Sequence, residues 1–207
     1  MRVWLLLALA AGCARQATPT DCGPAPRLSA RFVDGGVSID GELTEAAWVE
    51  TASSGAFPSL ADGGQVSPHT ELRALWSRDT LWLGVYAADQ DLRSSDEVQL
   101  SFATPTPLKL RVSASGVVTG APKSVHAAVD RDGTLDADEH GEDDEEWVVE
   151  LEVPWAALGL RAPPTSLELS VWREDTPKGA SARTVSWARG CSVPSTPRPG
   201  LVDLRAR

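Results

Sequence analysis

The sequence has few of the residues on which catalytic and cofactor sites commonly depend. Its 207 residues include three histidines, three cysteines and one methionine. The histidines are widely spaced and the cysteines form no C-x-x-C pair, so no pattern of metal ligands is evident. The methionine is Met1, which leaves with the predicted leader, and this excludes haem ligation by a Met–His pair. Motifs of serine hydrolases, zinc peptidases and phosphate loops are also missing, and we predict that the protein is not an enzyme.

Positive charge and long apolar runs are scarce as well. Lysines and arginines number 19 against 29 aspartates and glutamates, which gives a net charge of −10. An acidic protein is not attracted to nucleic acid or to anionic lipid, so neither is an expected partner. The apolar run from Val3 to Ala11 is too short to span a bilayer.

The N-terminal residues predict export and lipid attachment. Arg2 and the apolar run after it are typical of a secretion signal. Small residues precede Cys13, as in a bacterial lipoprotein box in which that cysteine is acylated. The alternative is ordinary signal cleavage nearby, with Cys13 incidental. We expect a lipoprotein signal peptide at residues 1–12 and a tether at residues 13–27. The membrane contact is then the lipid anchor alone, at the outer membrane if the host has one.

Cys22 and Cys191 remain as an even pair once Cys13 carries lipid. An exported protein lies in an oxidising compartment, where paired cysteines usually form disulfides. Cys22 precedes the first predicted strand and Cys191 follows the Trp187 strand. We therefore predict a structural disulfide that joins the two ends of one domain and stabilises it by about 4 kcal/mol.

Short runs of alternating hydrophobicity through residues 28–207 predict an all-β domain. Leu72–Trp76 and Leu81–Ala87 form a predicted hairpin, and Pro154 ends a later strand before a helical turn that Gly159 closes. Many short strands with one or two short helical turns indicate an antiparallel β-sandwich of jelly-roll type. The other runs with a period of two are Val98–Phe102, Leu108–Val112, Trp147–Val153 and Leu167–Val171.

The segment from Val37 to Trp48 predicts a tight turn followed by a short helical turn. Asp40 and Gly41 favour the turn because aspartate bonds nearby backbone and glycine tolerates positive φ. Thr44 is the predicted N-cap of the helical turn. Leu43 and Trp48 are expected to anchor it to a core.

Together with later motifs, this segment resembles the family 9 carbohydrate-binding modules over roughly residues 28–204. The resemblance implies a β-sandwich that binds carbohydrate without catalysis, in an exported protein associated with polysaccharide degradation. The motifs are I-D-G at 39–41 with Trp48 downstream, T-x-L-R-x-L-W at 70–76, D-x-V-x-L at 96–100, W-x-V-E-L-x-V-P-W at 147–155, Ser186-Trp187 and Gly200–Leu204.

The resemblance also implies a location for the sugar. The modules of this family clamp a sugar between two tryptophans, and the corresponding positions here fall near Arg93 and Val193, so the clamp is missing. Gln99 stands at the family's acidic position and Arg111 at its arginine, and both are expected to bind hydroxyls. Trp172 stands at a polar position of the family and is expected to stack on the sugar.

Trp82 is a second candidate stacking surface. Trp82, Gly84 and Tyr86 share one face of a predicted strand, and a glycine between two aromatic side chains would leave a flat platform for a sugar. The alternative for each of these aromatic side chains is packing against a second layer of the fold.

Ten acidic residues lie between Asp130 and Glu146. Oxygen ligands at alternate positions suit calcium, with Asp130, Asp132, Asp136 and Asp138 as weak candidate ligands. The spacing departs from a calcium-binding loop, because a loop begun at Asp136 places Trp147 where the last carboxylate should be. We favour a solvated linker between two strands and predict no cofactor, with calcium as the alternative for this segment.

Two functions therefore remain open from the sequence. The first is carbohydrate binding at the cell envelope, with a glycan as the partner. The alternative is an envelope protein-interaction or scaffold domain that kept the fold and lost the sugar site, and the missing clamp is the observation that supports it.

Overall fold

The computed structural model describes residues 24–137, 145–189 and 197–204, which form two β-sheets packed face to face. One short helix and one 3-10 helical turn accompany the strands. The elements are β1 (Arg27–Ser29), β2 (Arg31–Phe32), α1 (Ala46–Val49), β3 (Thr70–Trp76), β4 (Thr80–Ala88), β5 (Glu97–Phe102), β6 (Leu108–Ser113), β7 (Val118–Thr119), β8 (His126–Asp132), β9 (Glu146–Pro154), the 3-10 turn (Trp155–Leu158), β10 (Ser166–Asp175), β11 (Arg183–Ser186) and β12 (Gly200–Asp203).

The larger sheet has seven strands and the smaller has five. Their orders are β1-β12-β10-β5-β6-β7, with β11 also paired to β10, and β2-β3-β4-β9-β8. Within these sheets the pairs β1–β12 and β2–β3 are parallel, and the other pairs of strands are antiparallel. The predicted all-β sandwich is confirmed, with a parallel pair added to each sheet by the first two strands.

The core lies between the sheets and is built from the runs with a period of two. Alternate residues of a strand point to opposite faces, so each run places its apolar set inward. Pro154 and the helical turn closed by Gly159 also lie where the sequence predicts them. The inward residues include Leu72, Ala74, Leu83, Val85, Val98, Leu100, Leu110, Val112, Trp147, Val149, Leu169 and Val171.

A second apolar cluster covers the outer face of the smaller sheet. The segment from Val33 to Ala47 packs over Trp48, Leu75 and Trp82. Apolar side chains therefore bury this sheet on both faces, while the outer face of the larger sheet carries mostly polar residues. The predicted N-cap at Thr44 is wrong, because α1 is capped one residue later at Glu45 and the Thr44 hydroxyl donates to Glu42 instead.

Glu150 fixes the turn at Asp40 and Gly41 to this cluster. Its side chain is 0 % exposed, and Oε2 accepts the backbone N–H groups of Asp40 at 3.0 Å and Gly41 at 3.1 Å. Oε1 accepts from Trp48 Nε1 at 2.9 Å. Burial raises the pKa of Glu150, and these three donors act against that rise.

Several predictions concern residues outside the described part of the chain. Cys13, Cys22 and Cys191 lie there, and so do the leader and most of the tether, so lipid attachment and the disulfide stay predictions. No helix within residues 24–137, 145–189 and 197–204 is long and apolar enough to cross a membrane.

Candidate functional site

Three of the predicted site residues lie side by side on the outer face of the larger sheet. Trp172 of β10 is opposite Gln99 of β5, and Gln99 is opposite Arg111 of β6. Their neighbours along each strand, among them Val98 and Val171, point into the core. Adjacent strands are about 4.8 Å apart, so the row is about 10 Å long. We call Trp172, Gln99 and Arg111 the β10–β5–β6 row.

Two glutamates that were not predicted complete the polar part of this surface. Gln99 is only 7 % exposed, and its Nε2 donates to Glu97 Oε1 and to Glu174 Oε1, the latter at 2.9 Å. Arg111 is 60 % exposed, with Nη1 at 3.7 Å from Glu97 Oε1. Alternation alone places Glu97 on the same face as Gln99. Glu174 lies near Glu97 and Gln99 only because the register between β10 and β5 sets it opposite Glu97.

Trp172 is partly exposed and has short neighbours on one side. Ser170 comes two residues earlier on β10, and Ser186 is opposite Trp172 on β11. Both serines are buried, and the Ser186 hydroxyl donates to backbone carbonyl groups. The indole is therefore the largest side chain at this end of the row, and it provides the apolar surface beside the polar groups.

Trp82 is corrected to a core residue. It is 3 % exposed and belongs to the second apolar cluster on the smaller sheet. Leu43 covers the position between Trp82 and Tyr86, since a methyl group built on Gly84 would lie 2.5 Å from Leu43 Cδ2. An indole that is covered in this way offers no face to a sugar, so the predicted platform is not present.

The positions that correspond to the tryptophan clamp hold no exposed aromatic side chain where the structure describes them. Arg93 lies in the loop between β4 and β5, and its Nη2 is 2.5 Å from Asp91 Oδ1. Its side chain is mostly buried in this ion pair. Val193 lies outside the described residues.

Comparison of this structure with solved structures identifies the fold. A carbohydrate-binding module of family 9 from Caldicellulosiruptor kristjanssonii, in complex with cellotriose, is similar with a TM-score of 0.63 and 14 % identity over 87 % of this chain and 94 % of that one. The chain has the fold of a family 9 module. The same organism's family 9 module in complex with glucose gives a TM-score of 0.60 at 15 % identity, with 87 % of this chain and 96 % of that chain covered.

A candidate carbohydrate-binding protein from Bacteroides uniformis is a further similar structure. It is similar with a TM-score of 0.62 and 12 % identity, and the similarity covers 87 % of this chain and all of that one. No protein-family model and no curated protein matches the sequence. The resemblance drawn from the order of the motifs is thus confirmed at the level of the fold.

A buried network of charges lies directly behind the row in this family 9 fold. Arg173 and Asp175 alternate with Trp172 and Glu174 along β10 and therefore point inward. Arg173 is 1 % exposed, and its Nη2 lies 2.5 Å from Asp89 Oδ2 and 3.2 Å from Asp175 Oδ1. Nη1 of the same guanidinium donates to the backbone carbonyl of Ala88 at 2.8 Å.

The network is the one carboxylate triad with metal-ligand spacing among the described residues. Oxygens of Asp89, Asp96 and Asp175 lie within 4.8 Å of one another. Arg173 balances two of these carboxylates. Asp96 accepts backbone N–H groups from Thr176 and from the Arg93 loop, and burial raises its pKa to about 7. The negative charge of Asp89 and Asp175 is therefore balanced by Arg173, and that of Asp96 is reduced by partial protonation. We assign the triad to the structural network.

The acidic segment does not form a comparable triad within its described part. Asp130 and Asp132 belong to β8, so the first residues of the predicted linker are part of a strand. Asp136 Oδ1 accepts the backbone N–H of Ser94 at 3.1 Å, and its hydrogen bonds with Ser94 lower the pKa of Asp136. Asp138 lies outside the described residues, and calcium binding by this segment stays a prediction.

Proposed function

We propose that this protein binds carbohydrate without catalysis, through the β10–β5–β6 row on the larger sheet. The observation that supports this most is the register among strands β10, β5 and β6. An aromatic side chain, an amide and a guanidinium, each selected from a separate motif, lie opposite one another on adjacent strands. The family 9 modules with this fold include complexes with cellotriose and with glucose, and those ligands belong to a chemical class that suits such a surface.

The chemistry of each group in the row supports this proposal. The Trp172 ring offers a flat apolar surface on which the C–H face of a sugar stacks. Arg111 is exposed and donates to hydroxyls through a planar group with several N–H donors. The carboxylates of Glu97 and Glu174 accept hydrogen bonds from hydroxyls. Because Gln99 is buried and holds both carboxylates, its part is to position them.

Export and lipid attachment at Cys13 belong to the same proposal. A non-catalytic domain held at the outer face of a cell by a lipid would retain polysaccharide near the envelope. We propose the Cys22–Cys191 disulfide as the covalent link between the ends of this domain, with about 4 kcal/mol of stabilisation. Association with polysaccharide degradation follows from such a location.

A second candidate function has one specific observation in its favour. The described clamp position holds Arg93 in an ion pair with Asp91 instead of an exposed tryptophan. An envelope protein-interaction domain would keep the fold and use the same polar face for a protein partner. A defined envelope partner whose binding is lost on Arg111→Ala, in a protein that binds no glycan, would establish this alternative.

The carbohydrate proposal is tested by a glycan and polysaccharide screen followed by titration calorimetry on the purified protein. Trp172→Ala and Arg111→Ala are each expected to weaken binding by on the order of tenfold, because each removes a group that contacts the sugar. Arg78→Ala is the matched control, since Arg78 is exposed on the β3–β4 hairpin of the other sheet. Unchanged affinity in both site variants would refute the assignment of the row.

A further inference from the structure

Two carboxylates converge on a single amide nitrogen at the centre of the candidate site. Glu97 Oε1 and Glu174 Oε1 both accept from Gln99 Nε2. A glutamine amide has two N–H donors, and both are used here. Gln99 therefore has no donor left for a ligand, and the two carboxylates present the acceptors at this point of the surface.

The described residues neutralise this pair of charges only in part, since Glu97 has one long ion pair and Glu174 has none. Arg111 Nη1 is 3.7 Å from Glu97 Oε1, which is too far for a hydrogen bond, and the arginine side chain is mostly exposed. Glu174 is exposed and forms no ion pair within the part of the chain that the structure describes. Like charges held by one amide group repel each other, and a cation beside both would relieve that repulsion.

The aromatic neighbour of these carboxylates favours the same kind of ligand. Trp172 precedes Glu174 by two residues on β10, so the indole and the carboxylate lie on one face of the strand. Cations are attracted both to the face of an indole and to a carboxylate. A sugar that stacks on Trp172 and carries an ammonium group would satisfy the two carboxylates together.

We propose that the saccharide bound at this site is an amino sugar in its protonated form. The inference rests on the proposed function, since it assigns a class of sugar to the same surface. The ammonium group is placed between Glu97 and Glu174, and the sugar ring stacks on Trp172. Gln99 is a positioning residue that holds the two carboxylates at a common spacing.

The test compares two ligands that differ only at the amino group. Oligosaccharides of glucosamine and of N-acetylglucosamine, of equal length, are titrated into the purified protein at about pH 5.5, where the amines of the glucosamine oligomer are protonated. The glucosamine oligomer is expected to bind on the order of tenfold more tightly. This preference should shrink as salt is added, because a partly exposed ion pair is screened.

Glu174→Gln separates this local recognition from attraction to an acidic protein. The variant is expected to reduce the ratio of the two affinities severalfold, because a glutamine oxygen still accepts a hydrogen bond from a hydroxyl but carries no charge for an ammonium group. Glu168→Gln is the matched control, because Glu168 is exposed on the same strand and lies about 20 Å from Glu174. Both variants remove one negative charge, and the control is expected to keep the preference.

The outcomes distinguish this inference from the proposed function. Equal affinity for the two oligomers, with binding lost on Trp172→Ala, would overturn the amino-sugar inference and leave carbohydrate binding standing. Equal loss of preference in Glu174→Gln and Glu168→Gln would also overturn it, because the attraction would then follow net charge. Failure of every saccharide to bind would overturn both.

Discussion

The turn at Gly41 offers a sharp test of how the segment over the smaller sheet is held. Gly41 has φ +95, and a Cβ built on it would lie 2.4 Å from Asp130 N and 2.8 Å from Val129 C. These are backbone atoms of β8, which is paired with β9 along its length. Since the strand cannot move aside without breaking that pairing, Gly41→Ala must displace the turn itself.

The cost of this displacement follows from the contacts of Glu150. A left-handed conformation costs a residue with a Cβ about 1–2 kcal/mol. Moving the turn breaks the two N–H bonds that Asp40 and Gly41 donate to the buried Glu150 carboxylate, and hydrogen bonds to charged groups contribute about 1.5–3 kcal/mol each. The total is about 4–8 kcal/mol, which is a large part of the 5–15 kcal/mol typical of a domain.

Gly116→Ala is the control, because it shares the backbone strain and lacks the collision. Gly116 has φ +84, and nothing lies within 4 Å of a Cβ built there. We expect this variant to lose only about 1–2 kcal/mol. Urea unfolding followed by tryptophan fluorescence gives the unfolding free energy of each variant. A difference of less than about 1 kcal/mol between the two variants would refute the argument that Gly41 is required by its contact with β8.

Two further predictions concern the buried network. Burial raises the pKa of Asp96 to about 7, above the value of about 4 in an unfolded chain, so the stability it contributes is present below pH 4 and is lost as pH rises towards 7. Asp96→Asn should flatten the fall of unfolding free energy between pH 5 and 7 by up to about 1.4 kcal/mol per pH unit, and an unchanged slope would contradict this. Arg173→Met should lower the unfolding free energy by about 3–5 kcal/mol at pH 7, because Asp89 and Asp175 lose a buried partner; a loss below about 1 kcal/mol would show that the network contributes little.

The fold could be predicted from the sequence because its signal is local. A strand that packs on one face alternates apolar and polar residues, and the runs at Leu72–Trp76 and Val98–Phe102 carry this alternation. Their inward residues form the core as predicted. The parallel pairs that β1 forms with β12 and that β2 forms with β3 could not be predicted in this way. Strands of two or three residues are too short to show a period.

The two candidate stacking residues show that the local sequence does not predict whether an outward side chain is exposed. Trp82 and Trp172 each occupy an outward position on an alternating strand. Alternation tells which residues share a face, and it does not tell which face another segment covers. Leu43 comes some forty residues before Trp82 in the chain and covers its surroundings, whereas Trp172 remains partly exposed. The difference between these tryptophans is therefore a property of the tertiary fold.

The contacts of the polar residues of β10 could be predicted from the sequence only in part. Arg173 and Asp175 fall at inward positions of an alternating strand, and a charged residue at such a position indicates a buried ion pair or a site. The identity of the partner, Asp89, depends on the approach of two strands from different sheets. The same limit applies to Glu174, whose contact with Gln99 depends on the register between β10 and β5.

The alternation on β10 joins the stability of the fold to the geometry of the site. Arg173 holds the inner face of this strand to the end of β4 through Ala88 and Asp89. The same stretch of backbone carries Trp172 and Glu174 on its outer face. Rigid positioning of binding groups lowers the entropy lost when a ligand binds. The buried network therefore does more than stabilise the domain, because it fixes the spacing of the indole and the carboxylate in the proposed binding site.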